Sequence, residues 1–425
     1  MAPPIIPTVI GRGEMHKRKT EFVNALGSAQ SPEELRAGGR FSLADLSLSV
    51  TEDLPSLETA WRRLENLERN SLHQGYDWCR AWFEAHGNRG IVVEGRFDGR
   101  TVMLLPLEVA VTFGTRIARP PGGRFNNLNT GLFSEDFPLP DPQALAPLTR
   151  LLKLTLASHA DLLVYDNVPL EWHGTRHPLA ALATAENPNR SFQLPLRASF
   201  EETIAQLNAK TRRKKFRLQS RKLGALGGFE HISPATSEEK HALLDVFFRQ
   251  KGARLKAFGL PDIFRASATR DFFHRLLDAP QQGADTPLVL HAIRLSGRHE
   301  GHVAAIAGLS RKGGHMLCQF SSIDESVCPE ASPGELLFWL MIEQACGEGA
   351  TVFDFGLGDQ VYKRSWCTEE TVQHDILMPL TWKGTAAYPL AVALGRAKSV
   401  VKRSPGLYTL LQRCRAGFER LQKNP

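Results

Sequence analysis

The chain of 425 residues repeats itself. Arg96-Phe-Asp-Gly-Arg100 is answered by Arg294-Leu-Ser-Gly-Arg298, and Val164-Tyr-Asp166 by Val352-Phe-Asp354, at nearly the same offset. The order of elements around these markers repeats as well. In the first half, residues 91–96 and 101–108 flank a Phe-Asp-Gly-Arg turn as a hairpin, 148–158 has helical spacing, and 162–166 is a short buried strand. In the second half, strands are predicted at 288–295, 303–309 and 315–322, with a further strand at 351–355. Between them, the helix at 335–345 is apolar nearly all round and so belongs in a core. Helices are predicted ahead of each set, at 57–67 and 76–85 and again at 243–248 and 268–277, and residues 41–50 alternate like a first strand. The repeat constrains the fold to two copies of one mixed α/β unit, at 41–195 and 196–385, with the linker near Ser191 to Ser199. A loose Pro- and Gly-rich leader is expected at 1–40 and a basic, partly amphipathic helical tail at 386–425, with Val400, Val401, Leu407, Leu410, Leu411 and Phe418 on its apolar side.

Hydrophobic content of 42% and charged content of 23% fit a globular protein long enough for two domains. No run is long and apolar enough to span a membrane, and the first residues lack the basic-then-apolar layout of a secretory signal, so a cytoplasmic setting is expected. The six cysteines are scattered without a Cys-x-x-Cys pair, which speaks against a disulfide framework or a zinc knuckle. The net charge of +7 favours acidic partners: a phosphorylated cofactor, nucleic acid or anionic lipid.

Three stretches carry chemistry. Ser332-Pro333-Gly334-Glu335-Leu336 reads as a helix start, with Ser332 as N-cap, Pro333 in the first turn and Glu335 closing a capping box. The plain reading is a well-capped helix. The functional reading adds that N–H groups exposed at such a start bind phosphate, with Gly334 allowing close approach. Residues 210–222 hold eight cations, Arg212, Arg213, Lys214 and Lys215 among them. They form either a solvated helix face, a guide for an anionic ligand, or a nucleic-acid patch. Phe216 is the one aromatic there, so a stacking platform for single strands is poorly supported. Finally, Phe353-Asp-Phe-Gly-Leu-Gly-Asp-Gln-Val-Tyr-Lys-Arg-Ser-Trp366 leaves a strand through glycines into a polar loop. Asp354 and Asp359 there either cap backbone or take a proton, Tyr362 is a candidate general acid, Lys363 and Arg364 are candidate anion contacts, and Trp366 belongs to the core or to the substrate site. Of the fourteen histidines, His173 and His177 have a metal-like spacing, but Gly174 and Pro178 argue for a loop, and no metal site is predicted.

These motifs resemble the GNAT-type acyltransferases grouped with the cellulose-biosynthesis protein CelD. The resemblance spans about 45–385, is most specific at Ser332–Leu337 and Phe353–Trp366, and extends to Tyr76-Asp-Trp-Cys-Arg-Ala-Trp82 in the first half. It implies a tandem GNAT fold related to the Fem-type peptidyltransferases, the first copy being degenerate. It also implies an acyl-CoA, most simply acetyl-CoA. The pantetheine arm would lie along Phe320, Ser321 and Ser322, and the pyrophosphate at Ser332 to Leu336. Tyr362-Lys363 is similar to the aromatic–lysine pair of Fem-type enzymes, where the lysine faces the acceptor.

Three functions are compatible with this sequence. The first is an acyl-CoA-dependent N- or O-acyltransferase acting on an anionic small-molecule or saccharide acceptor, such as a polysaccharide precursor. The second is a Fem-like transferase using charged tRNA. The third is a non-catalytic scaffold of a polysaccharide assembly, with the tail touching a membrane surface.

Overall fold

The computed structural model describes residues 42–139, 145–283 and 285–403. The leader expected at 1–40, Cys414 and the tail beyond residue 403 lie outside these residues, as do the side chains of all six tail residues named above. Six strands in the first half run along the main sheet: β1 (Ser47–Thr51), β2 (Arg89–Phe97), β3 (Arg100–Thr112), β4 (Thr115–Arg119), β5 (Leu162–Pro169) and β6 (Ala185–Pro195). Six more follow in the second: β7 (Phe229–Ile232), β8 (Thr286–Leu295), β9 (Val303–Lys312), β10 (His315–Ile323), β11 (Val352–Leu357) and β12 (Glu369–Pro379). Helices α1 (Glu58–Glu65), α2 (Tyr76–His86) and α3 (Leu145–Leu156) belong to the first half, and α4 (Phe200–Ala205) and α5 (Ala209–Gly224) connect the halves. The second half holds α6 (Ser237–Ala257), α7 (Ser267–Asp278), α8 (Pro333–Gly347), α9 (Val361–Trp366) and α10 (Trp382–Arg403).

All twelve strands share one sheet, in the order β1-β2-β3-β4-β5-β12-β6-β11-β10-β9-β8-β7. Read from either edge, the order is the same once six is added to or subtracted from each strand number. The parallel contacts are β4 with β5 and β10 with β11, one in each half. The repeated text marks equivalent places, since Arg96 and Arg294 lie in β2 and β8, and Asp166 and Asp354 in β5 and β11. The last strand of each half is exchanged: β12 enters beside β5, and β6 beside β11, and the two pair with each other at the centre.

Local chemistry explains the frame. Asp98 and Gly99 both have positive φ, 47° and 71°, which gives the tight two-residue turn whose twist suits a hairpin. The equivalent turn in the second half is longer, with a single 3-10 turn at Gly297–His299. Helix α8 is buried as its composition demands, with Leu336, Leu337, Phe338, Trp339, Met341 and Ile342 in one core with Phe353 and Phe355. On the other side, an aromatic cluster joins the halves: Phe272 of α7 meets Trp78 and Trp82 of α2 edge-on, each at 5.1 Å.

Several local expectations change. The alternating stretch at 41–50 begins as a 3-10 turn, Leu43–Asp45, and only then becomes β1. Ser191 to Pro195, expected in a linker, is strand at the centre of the sheet. The polar loop after β11 is largely the short helix α9.

Candidate active site

Strands β10 and β11 run side by side only from His315–Leu317 against Val352–Asp354. Beyond that point they part. β10 continues along β9 as far as Ile323, and β11 follows β6, where Leu357 faces Ser191. A β-bulge marks the parting: Leu309 faces Cys318 and Gly308 faces Phe320, so Gln319 has no counterpart. Gly308 is required there, because a Cβ would lie 2.4 Å from the Phe320 ring. Phe320 thereby turns into the aromatic cluster and stacks on Phe247 at 4.1 Å. The first half pins the bulge. The Gln319 amide nitrogen lies 3.2 Å from His73 Nε2 and donates to Ser310 Oγ at 3.0 Å, and Asn127 donates to its carbonyl oxygen at 3.3 Å.

Each of the parting strands receives a lysine from a helix. Lys251 of α6 donates to the Ser321 carbonyl at 2.8 Å. Lys363 of α9, 4% exposed, donates to the carbonyls of Gly356 and Leu357 at 3.0 and 2.8 Å. Burial lowers the pKa of both, that of Lys363 to about 8. Cys318 stands within electrostatic reach of both ammoniums, yet burial pushes its thiol up to about 12, which makes it an inert thiol. Tyr362 stacks on Phe338 at 5.4 Å, and burial raises its phenol pKa even though its side chain is hydrogen-bonded to Ser321.

Asp354 sits at the apex of the parting, buried, and every side of its carboxylate is used. Ser191 Oγ donates at 2.9 Å and the Gly356 N–H at 2.6 Å to one oxygen. Gln193 donates at 2.7 Å to the other, which lies 3.1 Å from His315 Nε2. Burial pushes this carboxyl up, but the bonds from His315, Gln193 and Gly356 outweigh it and hold the pKa below the usual range. With no lone pair to spare, Asp354 orients His315 and anchors β11. That is a different place from the proton-accepting position expected of it. Asp359 lies at the surface in a two-pronged ion pair with Arg364, which is therefore not free for a ligand without breaking that pair.

The start of α8 differs from its sequence reading. Ser332 has φ 48°, ψ 59° and its hydroxyl caps nothing, because the 3-10 turn Pro329–Ala331 runs straight into the helix and forces a left-handed junction. The capping box is absent, and Glu335 faces outward to Lys215 at 3.1 Å and Arg212 at 3.8 Å. Pro333 and Leu336 are buried in the helix packing. Gly334 is needed for contact with β10, since a Cβ would lie 2.7 Å from Ile323 Cγ2. Arg212 is the hinge of this corner. Its guanidinium lies 3.8 Å from the Trp366 ring centroid, donates to the Ser365 carbonyl, and leaves Nη1 buried without a hydrogen-bond partner. Arg213 pairs with Glu201, and Lys214 is exposed.

The structure therefore gathers Ser321, Tyr362 and Lys363 at the parting, and Arg212, Lys215, Glu335 and Trp366 at the adjoining helix start. It leaves Lys214, Asp359 and Arg364 at the surface. Ser322 Oγ is buried without a partner. His177 is buried and uses both nitrogens, on Thr130 O and the Leu179 N–H. Sequence reasoning missed Lys251, Gln319 and His315. Only the last carries a sequence signal, a histidine opening a strand whose next three residues, Met316, Leu317 and Cys318, are apolar.

Residues 210–364 match the acetyltransferase (GNAT) domain family. FemX has a similar fold over 78% of this chain and 98% of its own, with 13% identity and a TM-score of 0.58. Weaker likenesses include a tandem GNAT protein from the clavulanic acid biosynthesis pathway (12% identity, 79% and 99% covered, TM-score 0.44) and the C-terminal domain of a protein described as a lysylphosphatidylglycerol synthetase from Agrobacterium fabrum (12% identity, 80% and 96%, 0.49). No curated protein matches the chain. The chain has a mixed α/β, GNAT-like fold with a GNAT-type domain in its second half. Among the described residues, no helix is long and apolar enough to cross a membrane.

Proposed function

We propose that the chain is an acyl-CoA-dependent acyltransferase, most simply acetyl-CoA-dependent, that transfers the acyl group to an amine or hydroxyl of an anionic small-molecule or saccharide acceptor in envelope or exopolysaccharide synthesis. The observation that carries this reading is the parting of β10 from β11, flanked by Lys251 and Lys363, beside a helix start equipped with Arg212 and Lys215. The residues suit such a donor. Arg212 Nη1, which has no hydrogen bond, and the Lys215 ammonium offer charge to a pyrophosphate that displaces the Glu335 carboxylate they share, and the edge of β10 past the bulge offers backbone N–H groups to an amide arm or an acyl oxygen. The thioester supplies an activated acyl group.

Hydrogen counting supports a base role for Lys363. A neutral amine has two N–H donors, matched by the Gly356 and Leu357 carbonyls, and one lone pair left over. With a pKa of about 8 this form is a minor fraction, roughly a tenth at pH 7, that grows as pH rises, and in it Lys363 can take the proton of the attacking amine or hydroxyl as the new C–N or C–O bond forms. As the C–S bond breaks, the Tyr362 phenol, with its raised pKa, holds a proton to give the departing thiolate.

A second reading, transfer from charged tRNA, draws on the outward face of α5. Lys210, Lys214, Arg217 and Arg221 are exposed there and form no ion pairs among the described residues. Calorimetric titration with acetyl-CoA, CoA and dephospho-CoA separates the two. Saturable binding that weakens in Lys215→Ala supports the CoA reading. Absence of binding by the folded protein overturns it in favour of the tRNA-dependent reading.

A further inference from the structure

A cavity of about 220 Å³ lies on the seam between the halves, lined by residues of β5, β6, β10, β11 and β12 and by a small hairpin, Glu171–Trp172 with Thr175–Arg176. At ~30 Å³ per water it has the space of about seven waters, room for one small molecule. Its walls hold the carboxylates of Glu171 and Asp354 and neither lysine nor arginine. Glu68 adds a third negative charge within reach of His173, whose pKa burial lowers, so that ring is neutral. Glu171 makes no ion pair among the described residues, although Arg176 stands opposite it in the hairpin.

Three polar groups around this cavity lack protein partners. Trp172 Nε1 is a buried donor and Gln373 Oε1 a buried acceptor, Gln373 being 4% exposed. The third is on His315. Its Nε2 contacts Asp354, and its Nδ1, which is not fully buried, makes no hydrogen bond among the described residues. The His315 and Trp172 rings meet edge-to-face with centroids 5.0 Å apart, so the indole and the imidazole share one wall. Unpaired buried polar groups each cost ~1–3 kcal/mol, and the Trp172 N–H and the Gln373 carbonyl around one cavity call for a molecule that supplies both an acceptor and a donor.

We propose that this cavity binds a compact primary amine that also carries hydroxyl groups, no larger than a single amino-sugar ring. Its ammonium lies toward Glu171 and the Asp354–His315 pair, and its hydroxyls serve Gln373 Oε1 and Trp172 Nε1. An acidic wall with no cation rejects phosphorylated or carboxylated forms of the same ligand. The site stands independently of the transfer reaction, because it needs only binding.

Calorimetry on the full chain tests this with two amines, glucosamine and ethanolamine, against their uncharged counterparts, glucose and ethylene glycol. At least one amine binds saturably and at least tenfold more tightly than its counterpart. That affinity falls at least tenfold in Glu171→Gln and in Trp172→Phe, which keeps the ring packing but removes the N–H. Both variants lie on a hairpin outside the main sheet, and circular dichroism confirms their fold. Absence of binding by both amines, equal binding of the uncharged partners, or unchanged affinity in either variant overturns the proposal.

Discussion

Lys363 donates to the carbonyl oxygen of Leu357 at 2.8 Å, and this contact ties α9 to the free edge of β11. A buried ammonium with a pKa near 8, against an ordinary value of 10.5, is bound more weakly by protons in the folded protein than in the unfolded chain. Its cost to stability is fully present below pH 8 and is relieved as pH rises from there to 10.5, by at most about 3 kcal/mol. Urea midpoints of the native protein should therefore rise relative to those of Lys363→Met across that window. The same variant should lose about 10²–10⁴-fold in turnover with little change in donor affinity. A loss of affinity with turnover preserved would remove Lys363 from the base position.

Asp354→Asn places a donor where four donors already converge. The expected loss is about 3 kcal/mol at pH 7, measured by chemical denaturation. The native carboxyl has a depressed pKa, so its contribution is present above the ordinary carboxylate range and disappears as pH falls through the folded value. The two proteins should converge in acid, and a constant gap down to pH 2 would contradict the assignment.

Gly308→Ala drives a methyl into the Phe320 ring. Overpacking of this kind costs about 1–3 kcal/mol, and here it also shifts the bulge that opens the sheet. Donor binding should weaken alongside stability. A variant as stable as the parent that binds equally well would show that the ring moves aside freely.

Replacing Lys210, Lys214, Arg217 and Arg221 together by alanine removes charge from a solvated face. Stability should change by less than about 0.5 kcal/mol per site. Association with an anionic donor should slow several-fold at low salt, and the difference should vanish near 1 M salt, where charges are screened within about 3 Å. Stopped-flow binding at two ionic strengths reads this directly.

The sequence reading located what depends on local pattern: the Asp98-Gly99 hairpin, the buried α8, and the duplicated order around Arg96/Arg294 and Asp166/Asp354. It did not show β6 or β12. Their residues are mixed and partly charged (Glu186, Arg190, Glu369, Glu370), and they become strands only because each finds an edge in the other half. The candidate site was legible as two motifs but not as a geometry. Ser332 looked like a cap because residue type was visible and the preceding 3-10 turn was not. Asp354 looked like a base because its four donors come from β6, β10 and its own chain two residues on. Lys251 arrives from a helix more than 60 positions before the carbonyl it serves, and nothing in its neighbours marks it.

The exchange of the last strands sets a timetable for synthesis on the ribosome. When residue 195 has been made, β5 and β6 have no second-half partners, and they wait until residues 352 to 379 emerge. Over that interval the nascent first half carries three open strand edges, one on β5 and both sides of β6, the surfaces that recruit other chains into aggregates. Either half expressed alone keeps those edges permanently, so the two halves form a single unit of folding.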